Sequence, residues 1–294
     1  MSDKPEVASN FLVKELYPYQ KASIKTIISK LEEGEGNNNI LFQLPTGGGK
    51  TIIFSHIANE FIRETKKKVL ILTHRIELLQ QTSSCLTGIN VNNFVISSEV
   101  KDVDEPDKFD CFIAMVETLN NRLQDDDGFI KDVGLVIVDE AHNNSFRKIF
   151  QYFENVNMLG VTATPLSSNR NLPLNKNYKE LVVGASIMSL IDDGFLCRPE
   201  SYTYDVNLGA LRVGINGDYT VSSSERLYGG FDMQEKLINA HRERSLGKKT
   251  LIFNPGIRVS WMVYDMFKEN GFENVKHLDS TFSDQERRDT LDWF

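Results

Sequence analysis

Leu44-Pro45-Thr46-Gly47-Gly48-Gly49-Lys50-Thr51, written LPTGGGKT, is the stretch on which the reading of this sequence turns. It closes as the pattern G-x-x-x-x-G-K-[ST] closes, but Leu44 stands where that pattern has its first glycine. Two readings are open: a phosphate cradle with one residue changed, or a flexible glycine turn that precedes a lysine. The flanks discriminate between them. Ile40–Leu44 is a short apolar run of strand composition. From Thr51 to Phe61 the residues Ile52, Ile53, Ile57, Ala58 and Phe61 line one face at helical spacing. Three glycines between a strand and a helix let backbone N–H groups turn inward without steric cost. Together with the helix N-terminus those groups make an anion site. Thr46, Gly47, Gly48 and Gly49 then form the cradle, Lys50 reaches the β- and γ-phosphates of a nucleotide, and the Thr51 hydroxyl is a ligand for Mg2+.

Working outward, the first 165 residues alternate between helix-like segments and short apolar runs. Leu16–Glu33 reads as a helix, and EEGEGNNN (32–39) as a turn. Val69–Thr73, Phe94–Ser97, Cys111–Val116, Leu135–Val138 and Leu159–Val161 repeat the composition of Ile40–Leu44. Continuous apolar runs of this length between helices indicate strands buried on both faces of a parallel sheet. The expected class is α/β, doubly wound. Residues 166–177, LSSNRNLPLNKN, are polar and aperiodic and read as a linker, which places a domain boundary at 168/169. Beyond it, Ser186–Asp193 reads as a short helix ending at Gly194, and Ser201–Val206, Thr250–Phe253 and Val275–Leu278 as strands. Residues 209–224 read as loop, and Phe231–Leu246, Val259–Asn270 and Gln285–Phe294 as helices. Three strands are few for a sheet, so the sequence reads as if cut inside its second domain.

A second motif supports the cradle. Leu135-Val136-Ile137-Val138-Asp139-Glu140-Ala141-His142 is an apolar strand ending in adjacent carboxylates. An aspartate at such a strand end holds Mg2+ in nucleotide-hydrolysing loops of this kind, and Asp139 has that place. Glu140 is set to polarise the attacking water as general base. A solvated acidic strand end is the plainer alternative, and it loses ground when a phosphate loop precedes it in the same sheet pattern.

Composition sets outer limits. Hydrophobic residues at 40% and charged residues at 25% are ordinary for a soluble globular chain of 294 residues. No apolar stretch approaches the length of a membrane span, and MSDKPEVASNF does not read as a secretory signal. Cys85, Cys111 and Cys197 form no metal or disulfide pattern, and a reducing cytosol fits them best. A net charge of −8 argues against a uniformly basic surface but not against a local nucleic-acid patch.

LPTGGGKT and VDEAH together resemble the superfamily 2 helicases and translocases, and the order of the remaining segments is similar. Leu16-Tyr17-Pro18-Tyr19-Gln20 resembles the family's adenine-recognition segment, in which Gln20 would read the adenine edge and Tyr17 takes the place of the usual arginine. Val69–Arg75 with Glu77, Leu78, Leu79 and Gln81 resembles its first nucleic-acid-contacting motif, and Val116-Glu117-Thr118-Leu119 a further one. Gly160–Pro165 resembles the motif that couples hydrolysis to domain movement. Thr250–Asn254 and the segment from Asp279 to Arg288 resemble the opening of a second RecA-like domain. Thr-His-Arg-x-Glu-Leu-Leu (73–79) and Gly217-Asp218-Tyr219 are most similar to DEAH-box DNA helicases of bacterial and phage repair and to restriction-enzyme motor subunits.

The resemblance implies a RecA-like P-loop NTPase domain over 1–168 and an incomplete second RecA-like domain over 169–294. It implies an ATP hydrolase acting on nucleic acid, DNA in the first instance, with ATP and Mg2+ as cofactors. Lys50, Asp139, Glu140 and His142 would be catalytic, and Thr51 and Asp139 would hold the metal. Thr73, His74, Arg75 and Thr118 would contact nucleic acid, with Thr162 and Thr164 coupling the two sites. A Q-x-x-G-R-x-x-R segment, whose arginines act on the γ-phosphate in the family, does not occur in these 294 residues. Weak hydrolysis by the chain alone, completed by a second chain, is therefore expected. RNA as substrate, or a nucleotide-dependent binding module without motor action, stay open as alternatives.

Overall fold

The computed structural model describes residues 15–34, 37–100, 102–103, 105–126, 128–153, 155–167, 169, 171–214 and 217–294. The stretch 1–11 read for a signal, residues 35–36 of the expected turn, 168 and 170 of the expected linker, and 215–216 of the expected loop lie outside the described residues. The chain divides into two compact units, one up to Pro199 and one from Glu200.

The first unit runs α1 (Pro18–Glu33), β1 (Asn39–Gln43), α2 (Lys50–Thr65), β2 (Lys68–Thr73), α3 (Ile76–Gly88), β3 (Asn93–Ile96), β4 (Cys111–Met115), α4 (Val116–Asp125), β5 (Val133–Asp139), α5 (Arg147–Phe150), β6 (Asn157–Thr162), β7 (Glu180–Val183) and α6 (Ile187–Asp192). The strands form one sheet in the order β3-β4-β2-β5-β6-β1-β7, and every pairing is parallel. Alternate residues of each strand face opposite sides. Ile40, Phe42, Val69, Ile71 and Ile137 pack with Ile27, Ile53, Phe54 and Ile57 of α1 and α2. Leu41, Leu70, Leu72, Phe112 and Val138 pack with Leu119 and Leu123 of α4 and Ile149 of α5. Both faces are covered, which is why these strands read as unbroken apolar runs. Each such side chain contributes roughly 1.5–3 kcal/mol by leaving water.

The structure moves the expected domain boundary. The first unit does not end at 168 but takes in β7, whose Ile40↔Glu180 to Gln43↔Val183 register lays it along β1. Val182 and Leu190 are buried in this unit, whereas Leu181 and Val183 stay exposed. An edge strand of four residues with one face in solvent carries too little pattern to be read from sequence.

The second unit holds α7 (Val221–Tyr228), α8 (Phe231–Arg244), α9 (Ile257–Glu269) and α10 (Asp284–Trp293). Its core is Ile238, Val259, Val263 and Phe267, with Ile252, Phe272 and Val275 against them. The three expected strands here are a correction. Ser201–Val206, Thr250–Phe253 and Val275–Leu278 form no ladder among the described residues. Strand residues need a neighbour to take their N–H and C=O groups, and no described strand supplies one. Ile252 packs inward while Leu251 and Phe253 are exposed, so the alternation of a half-covered strand is there without its partner. Residues 209–224 are not all loop, since α7 starts at Val221 and Val213 bridges Tyr219 in antiparallel fashion. Among the described residues no helix is long and apolar enough to cross a membrane.

Candidate functional site

Parallel strands bring their C-terminal ends to one edge of the sheet, and ligands of doubly wound folds bind outside that edge. Here the glycine loop follows β1, Asp139 ends β5, Thr162 ends β6 and Thr73 ends β2. Strands β2, β5, β6 and β1 are consecutive neighbours, so four sequence-distant motifs share one rim.

The loop is built on glycine for a physical reason. Gly47 and Gly49 both have φ +82°, in the left-handed region. A Cβ on Gly49 would also fall 2.6 Å from Gln20 Nε2. Gly49 caps α2, and Lys50 is that helix's first residue, so its side chain starts at the positive end of the helix dipole. Leu44, in place of a glycine, is fully buried beneath the loop, and its N–H donates to Thr162 O at 3.0 Å. It therefore ties the base of the loop to β6. Thr46 is exposed, and Thr51 is half-buried in the first turn of α2.

Across the rim, Lys50 Nζ lies 3.8 Å from Glu140 Oε1. Glu140 has φ +51°, unusual for a residue with a side chain, and its N–H donates to Asp139 Oδ1 at 3.0 Å. Asp139 is 6% exposed. Burial first, then the neighbouring Glu140 charge, pushes its pKa up to about 6, against the opposing pull of the Glu140 N–H and Lys50. A buried carboxylate held against a second carboxylate is a donor set that fits a divalent cation. His142 Nδ1 lies 3.0 Å from Thr162 Oγ1 and 3.3 Å from Glu140 Oε2. The Thr162 hydroxyl donates to Thr164 O and accepts from Thr164 N–H, both at 3.1 Å.

The description "Type III restriction enzyme, res subunit" matches residues 13–167, more than half of the chain and all of the rim. The chain belongs to this superfamily 2 helicase-like family. It is 28% identical to the putative ATP-dependent helicase IRC3 of Saccharomyces cerevisiae, over 95% of this chain and 42% of that protein. It is 26% identical to a 51.5 kDa protein of a Lactococcus phage, over 84% of this chain and 50% of that protein. The chain thus spans about half the length, or less, of these relatives. The ATP-dependent type ISP restriction-modification enzyme LlaBIII bound to DNA aligns over 95% of this chain and 23% of its own, with TM-score 0.59 and 15% identity. At that identity the likeness shows the fold, which is RecA-like.

Within the helicase-like rim, the residues expected at nucleic acid are placed unevenly. Arg75 is exposed and caps α3 in an extended conformation. Thr73 is 1% exposed, and its hydroxyl accepts from Arg75 N–H at 3.2 Å, which shapes the turn into α3. Thr118 is half-buried in the first turn of α4. His74 is half-buried, with Nδ1 shielded from solvent. Burial first, then Arg75, holds its imidazole below the usual pKa, while Glu140 pulls the other way and His142 adds to the fall. Its electrostatic neighbours thus include the acidic strand end.

At the far end of the rim, Gln20 Oε1 accepts from Tyr17 N–H at 3.0 Å while its Nε2 faces Gly49. Two residues escaped the sequence reading. Tyr19 donates its hydroxyl to Gly48 O at 2.9 Å, and Phe195 packs 4.6 Å from the Tyr17 ring and 5.1 Å from the Tyr19 ring. Tyr19 sits inside the quoted Leu16–Gln20 segment and could have been found there. Nothing local marks Phe195.

Proposed function

We propose that the chain is an ATP-dependent nucleic-acid motor domain acting on DNA, with ATP and Mg2+ bound at the rim of the first unit. The observation that carries this reading is the approach of Lys50 Nζ to Glu140 Oε1 at 3.8 Å. A phosphate-binding lysine and a water-activating carboxylate are paired at the rim, so an arriving γ-phosphate would take over Lys50 and free Glu140 to act on water. The backbone of Gly47–Gly49 and the N-terminus of α2 orient the phosphates, and Lys50 offsets their charge. Thr51 and Asp139 would hold Mg2+, which would supply charge neutralisation on the β- and γ-phosphates. Glu140 takes the proton of the attacking water, a role typically contributing 10²–10⁴-fold, or about 3–5 kcal/mol. His142 and Thr162 transmit the state of that carboxylate to the Thr162–Thr164 turn.

Arg75 and Thr118 would meet the phosphate backbone on the β2–β4 side of the rim, with buried Thr73 holding the turn that presents Arg75, which gives salt-dependent, weakly sequence-specific binding. Residues 200–294 are assigned to the opening of a second RecA-like domain. No Q-x-x-G-R-x-x-R segment lies in this sequence, and an arginine finger contributes about 10³–10⁵ in rate. Turnover by these 294 residues is therefore expected to be slow, and an arginine supplied in trans to the γ-phosphate would raise it.

The test is steady-state ATPase activity with no nucleic acid, with single-stranded DNA and with single-stranded RNA, for the wild type and Glu140→Gln. The reading expects slow turnover, greater stimulation by DNA than by RNA, and loss of turnover in Glu140→Gln with ATP binding retained. Fast turnover by these residues alone refutes the need for an added arginine, and RNA-selective stimulation refutes the choice of DNA. A Glu140→Gln variant with undiminished turnover refutes the mechanism.

A further inference from the structure

We infer that Phe195 is a base-contacting residue of the nucleotide site, forming with Tyr17 an aromatic corner in which the adenine of ATP is seated. This rests on the ATP reading of the Lys50–Glu140 rim. The chain returns to the glycine loop long after leaving it. Strand β7 runs beside β1 and leads into α6, and Gly194, two residues past that helix, has φ +77°. The reversal sends Phe195 and Leu196 back over the loop. Both of their N–H groups donate to Leu190 O, at 2.8 and 2.9 Å, and Leu190 is 1% exposed. The two side chains are therefore held by a buried anchor. Leu196 Cδ2 lies 3.0 Å from where a Cβ on Gly47 would stand, so the segment touches the phosphate cradle itself.

The rings have distinct tasks. Tyr19 is tied down by its hydroxyl bond to Gly48 O and props Phe195 from behind. Tyr17 meets Phe195 at 47° with 46% of its surface exposed, which leaves an open, apolar, two-walled corner. Tyr17 N–H bonds the Gln20 side chain, whose other end faces Gly49. A planar purine attached to phosphates in the cradle has both the flat apolar faces and the reach to fill that corner. The bland alternative is that the three rings only seal the start of α1 against the sheet.

Calorimetric titration of the full chain with ATP and, separately, with tripolyphosphate, both in Mg2+, separates the two. Phe195→Leu keeps the apolar packing and removes the ring. It is expected to weaken ATP about tenfold, within the range of base–aromatic stacking, while tripolyphosphate changes less than about twofold. Phe195→Tyr restores ATP. An unchanged ratio of ATP to tripolyphosphate affinity in Phe195→Leu overturns the proposal, including the case in which both weaken together because the segment merely shapes the loop. A wild type that holds ATP no more tightly than tripolyphosphate also overturns it, yet leaves the phosphate loop standing. Binding of neither ligand by the wild type sinks the ATP reading and this one with it. Should Phe195→Leu fail to melt cooperatively, Tyr17→Leu, on the exposed wall of the corner, carries the same comparison.

Discussion

His142 Nδ1 and Thr162 Oγ1 are 3.0 Å apart, a hydrogen bond from the segment after β5 to the last residue of its neighbour β6. Because Thr162 also holds both backbone groups of Thr164, one imidazole links the acidic strand end to the whole turn. His142→Ala should leave ATP affinity intact and lower DNA stimulation of hydrolysis by about 2–30-fold, the span of a coupling worth about 0.5–2 kcal/mol. Thr162→Val should do the same, and the double variant should lose no more than either single one. Multiplying losses in the double variant would show that the bond transmits nothing.

Asp139 gives a pH dependence with a defined sign. Its pKa in the folded, metal-free chain is raised to about 6, chiefly by burial. A raised folded-state pKa means that the folded form binds the proton more tightly than the unfolded one. The contribution to stability is full below the unfolded-state value near 4 and is lost as pH rises through about 6. With EDTA and no nucleotide, Asp139→Asn should therefore be more stable than wild type at pH 7.5, by up to about 3 kcal/mol, and the advantage should shrink toward pH 4. Denaturant melts at both pH values measure it. A variant less stable than wild type at pH 7.5 would contradict the burial argument.

Tyr178 is 5% exposed, and among the described residues its hydroxyl has no hydrogen-bond partner. Burial drives its pKa far up, against a smaller pull from Arg147. Burying a hydroxyl without a partner costs about 1–3 kcal/mol. Tyr178→Phe should thus be neutral or stabilising by about 1 kcal/mol in urea melts. Destabilisation beyond that would mean the hydroxyl is satisfied in solution.

The position of β7 predicts which fragment folds. Ending the chain at 168 removes Leu174, Tyr178, Val182 and Leu190, all buried in the first unit. At about 1.5–3 kcal/mol each, their loss rivals the 5–15 kcal/mol of a whole domain. A fragment ending at Pro199 should melt cooperatively and one ending at 168 should not. Equal melting of the two would return the boundary to the polar segment.

The two halves of the chain were not equally legible. β1, β2, β4, β5 and β6 were visible as apolar runs because both sheet faces are covered, so each residue carries the signal. Thr250–Phe253 has the same composition, yet stands unpaired among the described residues. Composition reports that a segment suits a strand, while pairing requires a second segment to be in place. His74 was assigned to nucleic acid from its place in Thr-His-Arg; it is half-buried, and Glu140 and His142 are among its electrostatic neighbours, which no local pattern marks.

LPTGGGKT and VDEAH by themselves determined that a glycine loop joins a strand to a helix and that paired carboxylates end another strand. Those are properties of bonded neighbours: glycine's backbone freedom, helix spacing and apolar continuity are all written within a few residues. Only the tertiary structure decided that Lys50 faces Glu140, that Leu44 binds β6, and that an unremarked Phe195 returns to the loop. Such contacts depend on strand order and edge pairing, which bring together residues far apart along the chain and leave no local mark on either partner.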